Sequence, residues 1–231
     1  MGEASLGILL LDTVFPRIPG DIGNALSYDF PVRMKTIKGA TVQRAVFDAD
    51  PTLLEDFVAG ARELEAEGVS AITSSCGFLS PLQDRVASAV QVPVFLSSLM
   101  QIPLVHMMTG GRIAIITANS DRLSDLVLKC AGVTPSILLT VAGMQDVSAF
   151  SNPILFDGTD LQADVVEEEI IIKAEKQLHD YPDIGAFVLE CHNLAPYGHA
   201  IQEKTGKPVF DIIDFANWVY RATHKRRFPA P

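Results

Sequence analysis

The chain has 231 residues, 48% of them hydrophobic and 20% charged, the proportions of a well-buried globular protein rather than a disordered one. Its 18 Lys and Arg against 28 Asp and Glu leave a formal net charge of −10, the wrong sign for coating a phosphate backbone or an anionic membrane, so neither nucleic acid nor membrane is expected as a partner. No stretch approaches the roughly 18 consecutive apolar residues that span a bilayer, and Met1 to Asp12 lacks the charged start and cleavage site of a leader, so the cytoplasm is expected.

In chain order, Leu6 to Leu11 reads as a buried strand. Pro51 to Glu67 follows as a helix, with Asp50 before it as a cap and Gly68 just past its end. Val69 to Thr73 is a strand, about Pro81 to Val90 a helix, Val92 to Phe95 a strand and Ser98 to Thr109 a helix. The second half repeats this grammar: strand 112–117, helix 121–131, strand 136–141, a long acidic helix 162–179, strand 184–189, helix 197–205, strand 207–210 and helix 214–224. Continuous apolar runs mean strands covered on both faces, hence an α/β fold with mainly parallel sheets. The basic run His224-Lys225-Arg226-Arg227 reads as a solvated tail.

The strongest feature is an internal repeat at an offset of 115 residues, the spacing of Cys76 and Cys191. Cys76, Leu79, Pro81, Pro93, Val94 and Phe95 fall on Cys191, Leu194, Pro196, Pro208, Val209 and Phe210. Two halves with one plan predict two similar lobes related by a pseudo-twofold axis, residues 1–100 plus 212–231 forming the first and residues 101–211 the second. Each cysteine follows a strand and precedes a helix, the place where open α/β sheets have their crevice, so both thiols are expected in one cleft. Helix N-termini beside them would lower the thiol pKa and hold a carboxylate. One thiolate can then take a proton from one face of a carbon while the other thiol returns one to the opposite face, which inverts a stereocentre.

Cys130 belongs with Leu123, Leu126 and Val127 on an apolar helix face and is read as structural. The three cysteines are too few and uneven for a disulfide scaffold, and they are expected as free thiols. Cys191, His192 and His199 lack the spacing of a zinc site, and no dinucleotide loop, P-loop or GxSxG sequence is present, so no metal and no cofactor are expected.

Thr73-Ser74-Ser75-Cys76-Gly77-Phe78 and Leu189-Glu190-Cys191-His192-Asn193-Leu194-Ala195-Pro196 resemble the paired cysteine motifs of the aspartate/glutamate racemase superfamily. That superfamily also holds hydantoin racemases, maleate isomerases and arylmalonate decarboxylases. The resemblance covers nearly the whole chain. It implies two flavodoxin-like lobes with the active site between them, Cys76 and Cys191 as acid and base without pyridoxal phosphate, and a homo-oligomer. Members with both cysteines tend to be racemases. Amino-acid racemases commonly read Cys-Asn-Thr and Cys-Thr-His at the two motifs, whereas here the residues are Cys76-Gly77-Phe78 and Cys191-His192-Asn193. A small carboxylate is therefore expected against Ser75, Gly77, Phe78, His192 and Asn193, with backbone N–H groups replacing lost side-chain donors.

Asp12-Thr13, at the end of the first strand, resembles the Asp-Ser pair of glutamate racemases, which implies that Asp12 polarises the nearby thiol; the alternative is a turn or cap residue. The Gly- and Pro-rich segment Phe15 to Asn24 is a loop over the cleft, in which Arg17 is a carboxylate clamp or a plain surface charge. Thr117 and Asn119 end a strand of the second lobe, where Asn119 can donate to a substrate, and His192 can assist the neighbouring thiol. The reading that follows is a cofactor-independent racemase or epimerase of a small amino acid or related carboxylate. Two alternatives stand beside it: a lyase or cis–trans isomerase using one cysteine as nucleophile, and a non-catalytic binder of a small acid.

Overall fold

The computed structural model describes residues 5–228; Met1 to Ala4 of the leader reading and the last three residues assigned to the first lobe lie outside them. Its strands are β1 (Leu6–Leu11), β2 (Val32–Ile37), β3 (Ala71–Ser74), β4 (Val94–Phe95), β5 (Arg112–Thr117), β6 (Leu139–Gly143), β7 (Ile184–Leu189) and β8 (Val209–Phe210). They form two four-stranded sheets of the same topology, ordered β2-β1-β3-β4 and β6-β5-β7-β8, and every pairing is parallel. The central strands β3 and β7 are buried almost throughout, as their unbroken apolar sequence requires.

The helices are α1 (Leu53–Ala66), α2 (Gln83–Ala87), α3 (Ile102–Thr109), α4 (Asp125–Cys130), α5 (Ser148–Phe150), α6 (Ala163–Asp180), α7 (Gly198–Thr205) and α8 (Ile212–Thr223). The pseudo-symmetry includes an exchange of arms. Helix α3 follows the first sheet in sequence but packs on β5 and β7 of the second, while α8 follows the second sheet and packs on β3 of the first. Ile212, Phe215 and Ala216 of α8 close a core with Leu6, Ile8, Ala71 and Phe95. Both thiols are therefore held by a frame in which each half braces the other.

Four differences from the sequence reading have local causes. Strand β2 went unseen because Val32-Arg33-Met34-Lys35-Thr36-Ile37 is a half-exposed edge with mixed polarity. The helices after Cys76 and Ser120 begin as 3-10 turns, Gly77–Leu82 and Ser120–Arg122, and the first carries Pro81 within it. Each half also has a π-helical turn, Gln43–Phe47 and Ser151–Leu155, after its edge strand. On α4, Leu126 is exposed and Cys130 half-buried, so that face is only partly covered. Among the described residues no helix is long and apolar enough to cross a membrane.

Candidate active site

The chain after β3 and the chain after β7 meet at one narrow pocket that both Cys76 and Cys191 line, its interior space about 20 Å³, room for about one water molecule. Ser75, Gly77, Phe78, Asn193 and Glu190 share its wall, while Val46 and Val42 come from or adjoin one π-helical turn and Ile154 and Leu155 from the other. Such turns recur at functional sites because the extra residue redirects side chains out of a regular helix. Their apolar side chains remove water from around the sulfurs.

Burial, and then the carboxyl of Glu190, push the Cys76 thiol up to about 12, while the Phe78 N–H on its sulfur and the charge of Arg17 pull it down. Cys191 is likewise held well above the ordinary thiol range by burial and Glu190, with the Asn193 N–H opposing. The backbone N–H groups two residues beyond each cysteine thus serve the sulfurs themselves. Cys191 also donates its S–H to Asn193 Oδ1 at 3.6 Å, a bond for which no equivalent occurs at Cys76 among the described residues. The amide orientation of Asn193 is fixed from behind, since its Nδ2 donates to Asp21 Oδ2 at 2.5 Å and a carboxylate accepts only from a donor.

Glu190 is fully buried. Its Oε2 accepts from Thr117 Oγ1 at 2.6 Å and the Ala118 N–H also bonds the carboxyl, whereas Oε1 has no partner among the described residues. Burial raises this carboxyl to about 7 despite those two donors. Gly77 is the residue that makes room, because a side-chain carbon there would collide with the backbone oxygen and Oε1 of Glu190.

Five residues expected at the site lie outside the pocket wall. Asp12 accepts from the Gly39 N–H at 2.9 Å and from Lys38 Nζ at 3.2 Å, which hold its carboxyl below the ordinary range and tie a turn. Arg17 bonds Asp21 Oδ1 at 2.9 Å and Thr13 Oγ1 at 3.3 Å, and its guanidinium lies 4.7 Å from the ring centre of Phe15, which does line the pocket. Thr117 serves Glu190. Asn119 caps the turn at Asp121 with a 3.0 Å bond. His192 Nδ1 donates to the Ser74 carbonyl at 2.8 Å and Nε2 accepts from the Ser98 N–H at 3.2 Å, so the ring is a neutral strut, its pKa pushed down to about 4 by burial. Sequence reasoning missed Glu190, although one signal was present: in the repeat it falls on Ser75, an exchange of a neutral side chain for a charged one beside a cysteine.

No family model matches the chain. A dimethylsulfoniopropionate lyase of Durusdinium sp. clade D is 34% identical over 227 residues, covering 95% of this chain and 75% of the relative. The chain belongs to the dimethylsulfoniopropionate lyase family. Dimethylsulfoniopropionate lyase 7 of Emiliania huxleyi (strain CCMP1516) is likewise 34% identical, over 92% of this chain but 65% of its own length. Solved structures show that this chain has the aspartate/glutamate racemase fold. An arylmalonate decarboxylase variant superposes with a TM-score of 0.68 at 17% identity over 98% of this chain and 96% of its own. An aspartate racemase homologue from Pyrococcus horikoshii OT3 gives 0.61 at 15% identity over 96% and 99%. The isomerase class expected from the paired cysteines is not the class of these sequence relatives, which are named lyases.

Proposed function

We propose that the protein is a cofactor-independent lyase acting on a small carboxylate with a sulfonium group on its β-carbon, of which dimethylsulfoniopropionate is the simplest case. The observation that carries this reading is the inequality of the two thiols. A racemase working in both directions needs two interchangeable acid–base groups, whereas β-elimination needs one base. Both sulfurs accept a backbone N–H, but the charge of Arg17 favours the thiolate of Cys76 alone, while Cys191 is tied as a donor to Asn193. The lyase names of the relatives agree with this.

In the proposed step the Cys76 thiolate takes the proton from the carbon beside the carboxylate. The C–H electron pair becomes the double bond, and the bond from the β-carbon to sulfur breaks with its pair staying on sulfur. The products are an acrylate and a neutral dialkyl sulfide, and the Cys76 thiol then returns its proton to solvent. Because the leaving group departs neutral, no acid is needed to protonate it.

The test is incubation with dimethylsulfoniopropionate, with dimethyl sulfide followed by gas chromatography and acrylate by proton NMR. Equal amounts of both are expected, and neither from Cys76→Ala. Absence of both from the wild-type protein overturns the lyase reading. A second reading, the two-thiol racemase, is favoured by the presence of both sulfurs on one pocket. Loss of an α-proton signal in D2O from an amino acid or hydantoin, without elimination, would establish it instead.

A further inference from the structure

The same backbone N–H group is met differently in the two lobes. In the first, the Ser75 N–H donates to the Leu9 carbonyl, and Ser75 Oγ accepts from the Leu11 N–H at 2.9 Å. In the second, the Glu190 N–H donates to the Ile116 carbonyl, and the Glu190 carboxyl accepts from the Ala118 N–H. A serine is therefore enough for the structural task at this place in the fold. Glu190 brings a second oxygen and a charge that the task does not use, and Gly77 is kept free of a side chain beside it. Burying a carboxyl with an unpartnered oxygen is unfavourable, and the first lobe avoids it.

The rest of the pocket shows what that charge faces. Glu190 is the one residue with a charged side chain among those lining it, in a wall otherwise made of apolar groups, two thiols, Ser75 and Asn193. Phe15 and Phe78 add aromatic rings, whose faces attract a cation with no hydrogens to donate. Arg17 lies over the Phe15 ring but is neutralised by its pair with Asp21, so a carboxylate and the Phe78 ring remain as a receptor for a methylated onium group, which satisfies a buried anion by charge alone.

Resting on the lyase reading, we propose that Glu190 is the specificity residue of this pocket, receiving the positively charged end of the substrate. The arrangement also joins binding to chemistry. The carboxylate of Glu190 raises both thiols in the free protein, and a cation bound beside it cancels that field. Proton removal by Cys76 then becomes easier only once a cationic substrate is in place. Arg17 and Asp21, the other charges acting on these thiols, are paired with each other and leave this effect to Glu190.

Two probes of the same shape separate charge from fit: 3-(trimethylammonio)propionate, and its neutral-headed isostere 4,4-dimethylpentanoate. Calorimetric titration at pH 8 should show the wild-type protein preferring the first by about ten- to a hundredfold, the range for a desolvated charge contact. Glu190→Gln should remove that preference while leaving 4,4-dimethylpentanoate bound as well or better. Glu190→Ser, which copies the first lobe, is the second variant should Gln fail to fold, with thermal unfolding as the check. A preference that survives in the folded variant overturns the proposal, as does a wild-type protein that binds both probes equally or neither. A Glu190-dependent preference in a protein that releases no dimethyl sulfide sustains the proposal and rejects the lyase reading, so the two fail separately.

Discussion

Residues 75–78 and 190–193 follow the third strand of their sheets in the same way, yet beyond the shared cysteine they differ at every position: Ser75 against Glu190, Gly77 against His192, Phe78 against Asn193. The first set is uncharged and, at Gly77, leaves space. The second set fills it. Glu190 reaches against Gly77, His192 crosses to Ser74 and Ser98, and Asn193 bridges Cys191 to Asp21 of the Phe15 to Asn24 loop. A duplicated fold has thus been made into one site by letting one half supply the polar side chains and the other the room for them. The two thiols differ in consequence, although their backbone settings are alike.

The largest effect expected from this difference is on turnover. Serine keeps a hydroxyl donor but is far too weak an acid to serve as a base at neutral pH. Cys76→Ser should therefore lower kcat by about a thousandfold or more, within the usual range for losing a general base. Cys191→Ser keeps the bond to Asn193 and should lower it by about tenfold. Initial rates of dimethyl sulfide release measure both, and equal losses in the two variants would contradict the one-base scheme.

A smaller effect, on stability, separates Glu190 from Ser75. The folded protein holds the Glu190 carboxyl at about 7, above the ordinary 4.5, so between those values the folded state keeps a proton that the unfolded chain has lost. Stability from this group is fully present below about pH 4.5 and is lost as pH rises through 7, by at most about 3 kcal/mol. Denaturant titrations of wild type and Glu190→Gln should show the variant gaining on the wild type by up to that amount between pH 4.5 and pH 8. Ser75→Ala, which carries no titrating group, should show a pH-independent difference. A constant gap for Glu190→Gln would mean that its carboxyl titrates normally.

The duplication itself was legible because it is written in apolar and Pro positions that the repeat preserves, such as Pro93-Val94-Phe95 against Pro208-Val209-Phe210. Buried strands and cysteines at strand ends follow from the same pattern. What the sequence did not disclose lies where the two halves diverge. Strand β2 has an edge strand's mixed polarity, the π-helical turns have no compositional mark, Asp12 is taken up by Lys38 and Gly39 far along the chain, and Arg17 by Asp21 and Thr13 of its own loop. Glu190 was invisible to a search for matches because its meaning is a mismatch. A repeat comparison that asks which positions changed charge would have found it.

The finest test of the difference between the thiols is the bond that, among the described residues, Cys191 makes and Cys76 does not. Asn193 Oδ1 accepts the Cys191 S–H, and an acceptor for the neutral thiol works against ionisation. Asp21 keeps that oxygen turned to the sulfur by taking the amide N–H on the other side. Asn193→Ala removes the acceptor while the backbone N–H that favours the thiolate stays, so Cys191 should ionise more readily and Cys76 should change little. A shift of about half to one pKa unit corresponds to about three- to tenfold more thiolate at pH 8, since each unit is a factor of ten. Iodoacetamide labelling followed by peptide mass spectrometry reads the two cysteines separately. The labelling rate of Cys191 should rise by that factor in Asn193→Ala and by less in Asp21→Asn, where the amide is free to turn but keeps its oxygen. Unchanged labelling of Cys191 in Asn193→Ala would mean that the bond to Asn193 does not distinguish the two thiols and that the charge of Arg17 on Cys76 does.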